Sequence, residues 1–187
     1  MKLSSFLHFA AFGVRTILLR EKKPILGTVI VTDRCNLKCR HCSVHDLTSV
    51  DHPYEQIRRE MELLYHMGVR ILFFCGGETF LWHDGARTVR DLVVEAKKMG
   101  FLLVNVVTNG TFPIDLPEAD LILYYGASEL NYVSYVHGRD MGEDKTLIGR
   151  NFPGIDICLK DGRIHVTTPY GVVGAGADTF VGDYGHW

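Results

Sequence analysis

Apolar residues follow two different periods along this chain of 187 residues. Four short runs are almost continuously apolar and rich in β-branched or aromatic side chains, which predicts buried β-strands. These runs are Ile25–Val31, Val69–Cys75, Leu102–Val107 and Leu121–Tyr125. Between the early runs, apolar residues recur every three or four positions, as the series Ile57, Met61 and Leu64 illustrates. That second period predicts amphipathic helices between the strands.

Capping residues give bounds for two of these helices. The first opens after Asp51, a candidate N-cap, with Pro53 in its first turn, and Gly68 ends it. The second runs roughly over residues 85–99 and ends at Gly100. Strand and helix therefore alternate at least twice, which favours an α/β fold with a parallel sheet. Right-handed crossovers then place the strand ends on one rim of the sheet.

The pattern weakens after Tyr125. It predicts a short helix around residues 129–136, a strand over Ile155–Leu159 and a strand over Arg163–Thr167. Asp161-Gly162 is typical of the hairpin turn that would join these two strands. The tail from Gly171 to Trp187 is rich in glycine, and the pattern gives it no fixed element.

The first residues of the chain, 3–19, are apolar enough to resemble the core of a signal peptide. Arg15 interrupts the run, no clear small-residue cleavage site follows, and the run is too short and too broken for a membrane span. An amphipathic helix that packs on the domain is the preferred interpretation. The alternative is contact with a membrane surface through residues 3–23, with Arg15, Arg20, Lys22 and Lys23 toward the head groups.

Composition narrows the classes of function. A hydrophobic content of 47% and a charged content of 22% are ordinary for a soluble globular domain. The formal net charge of −2 gives no electrostatic reason to expect a nucleic-acid partner. Five cysteines, three of them close together, do not form the even spacing of a disulfide framework. We therefore expect a reducing compartment, the cytoplasm.

The chemistry is concentrated in residues 32–42, which follow the first predicted strand and contain Cys35, Cys39 and Cys42. Three thiolates on one short loop can hold an iron–sulfur cluster, and a four-iron cluster with three cysteine ligands keeps one iron open. Two alternatives stay open at this point. The cysteines with His41 or His45 could bind structural zinc, and Cys39 with Cys42 could form a redox pair.

Basic residues flank the same loop. Arg34, Lys38 and Arg40 would favour thiolate over thiol and would stabilise an anionic cluster. The plainer interpretation of these three residues is a solvated basic surface. Cys75 and Cys158 lie outside the loop, and each is expected to be a small buried apolar residue and not a ligand.

The Cys-x3-Cys-x2-Cys spacing, with Asn36 after the first cysteine, resembles the cluster loop of the radical S-adenosylmethionine (SAM) enzymes. The resemblance implies a [4Fe-4S] cluster on Cys35, Cys39 and Cys42, with SAM bound at the open iron. It implies reductive cleavage of SAM to a 5′-deoxyadenosyl radical, and an electron donor such as a flavodoxin or ferredoxin. It also implies a partial (β/α) barrel.

Two further segments fit the same resemblance. Gly76-Gly77-Glu78 is similar to the Gly-Gly-Glu motif in which the backbone and a carboxylate hold the amino group of SAM. Thr108 and Asn109 fall where the family places polar groups near the ribose of SAM or the substrate. A tight turn with an exposed glutamate and an ordinary Asn-Gly turn are the alternatives. With the cysteine loop, these segments would meet at the rim of the sheet.

The chain also departs from the family pattern. A polar residue followed by Asp-Gly is common at the end of the fourth strand, whereas residues 123–128 here read Leu-Tyr-Tyr-Gly-Ala-Ser. Ser128 or Glu129 could replace the ribose contact, and His137-Gly138-Arg139 is only a weak match to an Arg-Gly element. The predicted division is an N-terminal segment 1–23, a core 24–125 and an atypical region 126–187 that completes or covers the barrel.

A small molecule, a lipid-like molecule or a peptide would all suit an open barrel as substrate. Two rival functions remain. One is a degenerate iron–sulfur relative without substrate chemistry, which the altered fourth strand favours. The other is a zinc-stabilised α/β binding protein.

Overall fold

The computed structural model divides the chain into two compact units, Met1–Leu116 and Pro117–Trp187. It describes residues 3–39, 42, 50–114, 116, 121–127, 131–140, 150–160, 163–167 and 180–182. The functional division into segments 1–23, 24–125 and 126–187 stays a prediction.

The first unit alternates strands and helices after an N-terminal helix. Its helices are α1 (Leu3–Leu18), α2 (Tyr54–Met67) and α3 (Val89–Met99). Its strands are β1 (Leu26–Thr32), β2 (Ile71–Gly76), β3 (His83–Asp84), β4 (Arg87–Thr88) and β5 (Leu103–Val106). A short 3-10 helix, Thr79–Leu81, follows β2.

Three of these strands form a parallel sheet in the order β1-β2-β5. Leu26 pairs with Ile71, and Ile71 pairs with Leu103, so the three strands run in register from their first residues. The α/β class with a parallel sheet is thereby confirmed. Because the strands are parallel, their carboxyl ends lie on the same edge, where the cysteine loop begins.

Helices α2 and α3 cover one face of this sheet. Every second residue of β1 and β2 is buried there, and the helices contribute Ile57, Met61, Leu92 and Ala96 to the same core. The other face is open, since Leu26 and Ile30 are about half exposed. The strand segments are apolar at nearly every position, yet the helices cover only the residues that point to one face of the sheet.

Two helix ends match the sequence prediction, whereas the start of α3 does not. Gly68 and Gly100 end α2 and α3 with left-handed φ angles of 107° and 98°. Helix α3 starts only at Val89, because the preceding residues form the β3–β4 hairpin and Thr88 makes a capping box with Asp91. The predicted start at residue 85 was therefore too early.

The expectation that the N-terminal helix packs on the domain is wrong for the described residues. The apolar residues Leu3, Leu7, Val14, Ile17 and Leu18 of α1 are all more than half exposed, and none of the described residues of α1 is buried. The helix itself was correctly predicted, since the apolar periodicity defines a helix whether or not a partner covers it.

The second unit is antiparallel. Its strands are β6 (Ile122–Ala127), β7 (Asn131–His137), β8 (Arg150–Asn151), β9 (Asp156–Lys160), β10 (Arg163–Thr167) and β11 (Phe180–Gly182). They form two three-stranded sheets, β6-β7-β8 and β11-β10-β9. The predicted strands near residues 121, 155 and 163 are confirmed, whereas the turn at residues 161–162 and most of the glycine-rich tail lie outside the described residues.

Two predictions for this unit are wrong. The fourth strand, β6, belongs to the sheet β6-β7-β8, where it pairs antiparallel with β7, and not to the sheet β1-β2-β5. The predicted helix over residues 129–136 overlaps β7, where Ser134 and Val136 are buried on alternate positions. Tyr and Val in this segment have high β-propensity, and period-2 burial decided the outcome. Among the described strands, three form the parallel sheet, and the partial barrel stays a prediction.

Candidate functional site

The cysteine loop is fixed at both ends by the chain itself. Thr32, at the end of β1, is fully buried and donates its hydroxyl to Asp51 at 2.6 Å. Asp33 N donates to Val50 O at 2.9 Å, and His52 N donates to Val31 O at 3.0 Å. Asp51 therefore closes the loop and does not cap α2, whose N-cap residue is Pro53.

The side chain of Arg34 helps to close the loop and makes no described contact with the three cysteines. Its Nε lies 3.2 Å from Asp51 Oδ1, and its Nη2 donates to the carbonyl of Leu81. Of the three basic residues expected around the cysteines, Lys38 is exposed and Arg40 lies outside the described residues. The positive charge of Arg34 is therefore paired with the carboxylate of Asp51.

The three cysteines are free thiols close to solvent. Cys35 and Cys39 are exposed, and Cys42 is partly buried. Leu37 N donates to Cys35 Sγ at 3.4 Å, and Cys42 N donates to Cys39 O at 3.0 Å, which forms a turn between the last two cysteines. Free, accessible sulfur donors on a short loop fit a thiolate-ligated cluster.

Within the described residues, no three His, Cys, Asp or Glu side chains lie close enough together to hold one metal ion. His41 and His45, the candidate fourth ligands for zinc, lie outside the described residues.

Gly76 and Gly77 bring the end of β2 against the backbone of the cysteine loop. Gly77 N donates to Thr32 O at 2.9 Å, and Glu78 N donates to Arg34 O at 2.7 Å. A Cβ on Gly77 would lie 2.6 Å from the carbonyl carbon of Arg34, inside the distance that real contacts allow. The glycines are therefore required by the chain's own close approach.

Glu78 is a buried acceptor and not the exposed side chain of a simple turn. Its side chain has 0% exposure. One oxygen, Oε1, accepts from Phe80 N at 3.0 Å and from Thr108 Oγ1 at 2.8 Å. The other, Oε2, accepts from Asn109 N at 2.7 Å. The carboxylate thus ties the end of β2 to the segment that follows β5.

Asn109 ties the same segment to the cysteine loop. Its Nδ2 donates to Asn36 Oδ1 at 2.9 Å and lies 3.8 Å from Cys35 Sγ. Thr111 N and Thr111 Oγ1 donate to Asn109 Oδ1 at 3.0 and 2.6 Å. The cysteine loop, Gly76-Gly77-Glu78 and Thr108-Asn109 therefore meet at one edge of the sheet.

Sequence reasoning did not predict the contacts of four residues in this arrangement, although it named Asn36 in the cluster-loop motif and Asp51 as a candidate helix cap. Thr32 and Asp51 close the loop, and Asn36 and Thr111 connect it to the end of β5. Asn36 could have been found from its position beside a candidate ligand. Thr111 and Asp51 had no local signal, because their partners are many positions away in sequence.

The other cysteines differ from each other. Cys75 is partly buried at the end of β2, and burial raises the pKa of its thiol, which disfavours the thiolate that a metal ligand requires. Cys158 on β9 is exposed, so the expectation of a buried apolar residue is wrong there. Ser128 and Glu129, the proposed substitutes for the ribose contact, lie outside the described residues.

Comparison with known proteins agrees with this geometry. Residues 29–147 match the family model of the Radical SAM superfamily. The antilisterial bacteriocin subtilosin biosynthesis protein AlbA of Bacillus subtilis (strain 168) is 39% identical over 92 residues, which cover 47% of this chain and 19% of AlbA.

Two fish proteins named S-adenosylmethionine-dependent nucleotide dehydratase RSAD2 are also similar. The protein from Oncorhynchus mykiss is 35% identical over 81 residues, which cover 43% of this chain and 23% of the relative. The protein from Danio rerio is 33% identical over 81 residues, with 43% and 22% covered. The matched region thus spans about a fifth of the length of these relatives. Since the family model covers well over half of the sequence, the chain belongs to the Radical SAM superfamily.

Proposed function

We propose that this chain is a radical SAM enzyme in which Cys35, Cys39 and Cys42 hold the [4Fe-4S] cluster. Proteins of this superfamily use such a cluster together with SAM. The cluster and SAM would supply a 5′-deoxyadenosyl radical that abstracts hydrogen from a substrate. The observation that carries the proposal is the meeting of the free-thiol loop with Gly76-Gly77-Glu78 and Thr108-Asn109 at one edge.

The same residues have separate roles in the proposed SAM site. Glu78 Oε2 accepts one described hydrogen bond, so this carboxylate oxygen keeps capacity for one more donor. Because the side chain has 0% exposure, the ammonium group of SAM would reach it where SAM displaces the residues that cover it. Thr108 and Asn109, which bond to Glu78, would orient that carboxylate and border the ribose. Gly76 and Gly77 would position the segment by their contact with the loop backbone.

The electron that starts the reaction would come from a flavodoxin or ferredoxin. The exposed Cys35 and Cys39 are consistent with access to such a donor. The names of the relatives point to different chemistry, the biosynthesis of a bacteriocin in one case and the dehydration of a nucleotide in the other. The candidate substrates of this chain are peptides, small molecules and lipid-like molecules.

Anaerobic reconstitution tests the cluster ligands. The wild-type protein is expected to take up about four irons per chain, and alanine at Cys35, Cys39 or Cys42 is expected to abolish uptake. Cys75→Ala and Cys158→Ala are the matched controls, which should leave the iron content unchanged. Stoichiometric zinc without iron would contradict the cluster and support the zinc-stabilised binding protein.

A product assay tests catalysis separately. Reduced, SAM-loaded protein is expected to form 5′-deoxyadenosine. A full cluster that yields no 5′-deoxyadenosine under these conditions would favour the degenerate iron–sulfur relative.

We further propose that α1 lies on an anionic membrane surface. Leu3, Leu7, Val14, Ile17 and Leu18 recur at helical spacing on one exposed face. Residues 3–23 carry four basic side chains and one acidic one, Glu21, which pairs with Arg15 and Lys23 at 3.5 Å each. An apolar face beside a cationic segment fits the boundary between head groups and acyl chains.

Sedimentation with vesicles tests this surface. Binding is expected with vesicles that contain phosphatidylserine and to be weak with pure phosphatidylcholine. Replacing Ile17 and Leu18 with serine should lower the partition coefficient by roughly tenfold or more, because each buried side chain of this size contributes about 1.5–3 kcal/mol. Thr16→Ser, on the other face, is the control. Equal binding of all three proteins would contradict the proposal. Within the part of the chain that the structure describes, none of the helices combines the length and the hydrophobicity that a membrane span requires.

A further inference from the structure

Three polar side chains close a ring of hydrogen bonds between the cysteine loop and the segment after β5. Asn109 Nδ2 donates to Asn36 Oδ1 at 2.9 Å, Asn36 Nδ2 donates to Thr111 Oγ1 at 2.8 Å, and Thr111 Oγ1 donates to Asn109 Oδ1 at 2.6 Å. Each of the three side chains donates a hydrogen bond to the next one and accepts a hydrogen bond from the one before it. Such a closed arrangement strengthens its members and holds each amide in one orientation.

The orientation of the Asn109 amide is fixed by a backbone group. Thr111 N can only donate, and it donates to Asn109 Oδ1 at 3.0 Å. The oxygen of the amide must therefore face Thr111, and the Nδ2 group must face the loop. There, Nδ2 lies 3.8 Å from Cys35 Sγ, within the range of a hydrogen bond to sulfur.

We infer that Asn109 raises the reduction potential of the cluster by donating an N–H···S hydrogen bond to the Cys35 thiolate. The inference rests on the proposed function, in which Cys35 is a cluster ligand. Asn109 is a positioning residue here, because it acts through Cys35 and not on the iron.

The direction of the effect follows from charge. Reduction adds one electron to the cluster and its thiolate ligands, so a donor aimed at a ligand sulfur stabilises the reduced state more than the oxidised state. Hydrogen bonds to the sulfurs are one of the main determinants of the potential of such clusters. Cys35 Sγ has a second donor in Leu37 N at 3.4 Å, so loss of the Asn109 amide leaves one described donor in place.

Asn109 also reaches the proposed SAM site. Its backbone N donates to Glu78 Oε2 at 2.7 Å while its side chain faces Cys35. A variant of the side chain therefore removes the bond to sulfur and leaves the bond to Glu78 available. The potential is measured without SAM, so that this effect is separated from SAM binding.

The test is a redox titration of the reconstituted protein with dithionite and mediators, followed by electron paramagnetic resonance of the reduced cluster. At a fixed solution potential near the midpoint, the ratio of reduced to oxidised cluster is expected to fall at least threefold in Asn109→Ala, a shift of roughly 30 mV given 59 mV per factor of ten. Asn109→Asp should fall further, because a carboxylate then faces the thiolate. Asn105→Ala is the control, since Asn105 Nδ2 donates to Leu72 O and not to sulfur.

The outcomes separate this inference from the proposed function. If the wild-type protein takes up no iron, the proposed function fails. If the cluster forms and Asn109→Ala changes the ratio less than threefold, or no more than Asn105→Ala does, the inference fails alone. If Asn109→Ala takes up no iron, Asn109→Leu decides, because it keeps a side chain of similar size, adds no charge and has no N–H to donate to Cys35 Sγ. A lower ratio in Asn109→Leu supports the inference, and an unchanged ratio overturns it.

Discussion

Replacement of Gly77 by alanine should separate the end of β2 from the cysteine loop. The added methyl group would lie 2.6 Å from the carbonyl carbon of Arg34 and 2.9 Å from the carbonyl oxygen of Asp33. Both are backbone atoms that Arg34 and Asp33 cannot move by changing rotamer. Either the loop or the end of β2 must shift.

The magnitude follows from what the shift breaks. Gly77 N to Thr32 O and Glu78 N to Arg34 O are the two hydrogen bonds at this contact. Each contributes about 0.5–1.5 kcal/mol, and overpacking adds about 1–3 kcal/mol. The free energy of unfolding of the first unit should therefore fall by roughly 2–6 kcal/mol, and iron uptake should fall with it.

Two other glycines provide a graded control. A Cβ on Gly13 in α1 would meet nothing within 4 Å, so Gly13→Ala should be neutral or slightly stabilising. A Cβ on Gly27 would lie 3.1 Å from the side chain of Leu64, which can adjust, so Gly27→Ala should have an intermediate effect.

Urea unfolding followed by the fluorescence of Trp82 measures this order. Trp82 is 1% exposed in the first unit, and Trp187→Phe in all variants removes the second tryptophan of the chain. A Gly77→Ala protein that unfolds within about 0.5 kcal/mol of wild type, the range of neutral substitutions, and that keeps full iron uptake would refute the reasoning.

Three more predictions concern single side chains. Glu78→Gln should lower the free energy of unfolding by about 1–3 kcal/mol and weaken SAM binding in calorimetry, because the glutamine side chain has only one oxygen that can accept hydrogen bonds. Unchanged values of both would contradict the role of Glu78. Arg34→Lys should destabilise the first unit by about 1 kcal/mol in the same urea assay, since one ammonium group cannot reproduce the bonds to Asp51 and Leu81, and an effect equal to that of Lys38→Arg would contradict this. Because burial raises the pKa of Cys75, its alkylation by iodoacetamide at pH 8 should be slower in the folded than in the urea-unfolded protein, as read by mass spectrometry; equal rates would contradict this.

The sequence was most informative where the apolar periodicity and the residues that end helices indicated the same element. Gly68 and Gly100 marked helix ends because each has a left-handed φ angle that few other residues adopt. The parallel sheet followed from apolar runs separated by helices, and the shared edge of its strands predicted that the three site segments meet.

The missed features depend on contacts between distant residues. Asp51 has the residue type and position of a helix cap. Its carboxylate instead accepts hydrogen bonds from the hydroxyl of Thr32 and the guanidinium of Arg34, at the other end of the loop. The apolar residues of β7 follow a pattern that is compatible with a helix as well as a strand. The segment is a strand because it pairs with β6. The burial of Glu78 could not be predicted locally, because it depends on Thr108 and Asn109, which are distant in sequence and donate hydrogen bonds to its carboxylate.

The closure of the cysteine loop by Thr32 and Asp51 has a consequence for the order of maturation. Because hydrogen bonds within the protein already join the two ends of the loop, the metal centre does not have to provide the closure. In small zinc domains, by contrast, the energy of metal binding is the energy of folding. Here the scaffold is expected to fold first and receive its cluster afterwards, so the iron-free protein should unfold cooperatively and accept iron without refolding. The chain between Cys42 and Val50, outside the cysteine spacing, should also tolerate added residues, since lengthening an already closed loop changes its closure entropy only slowly.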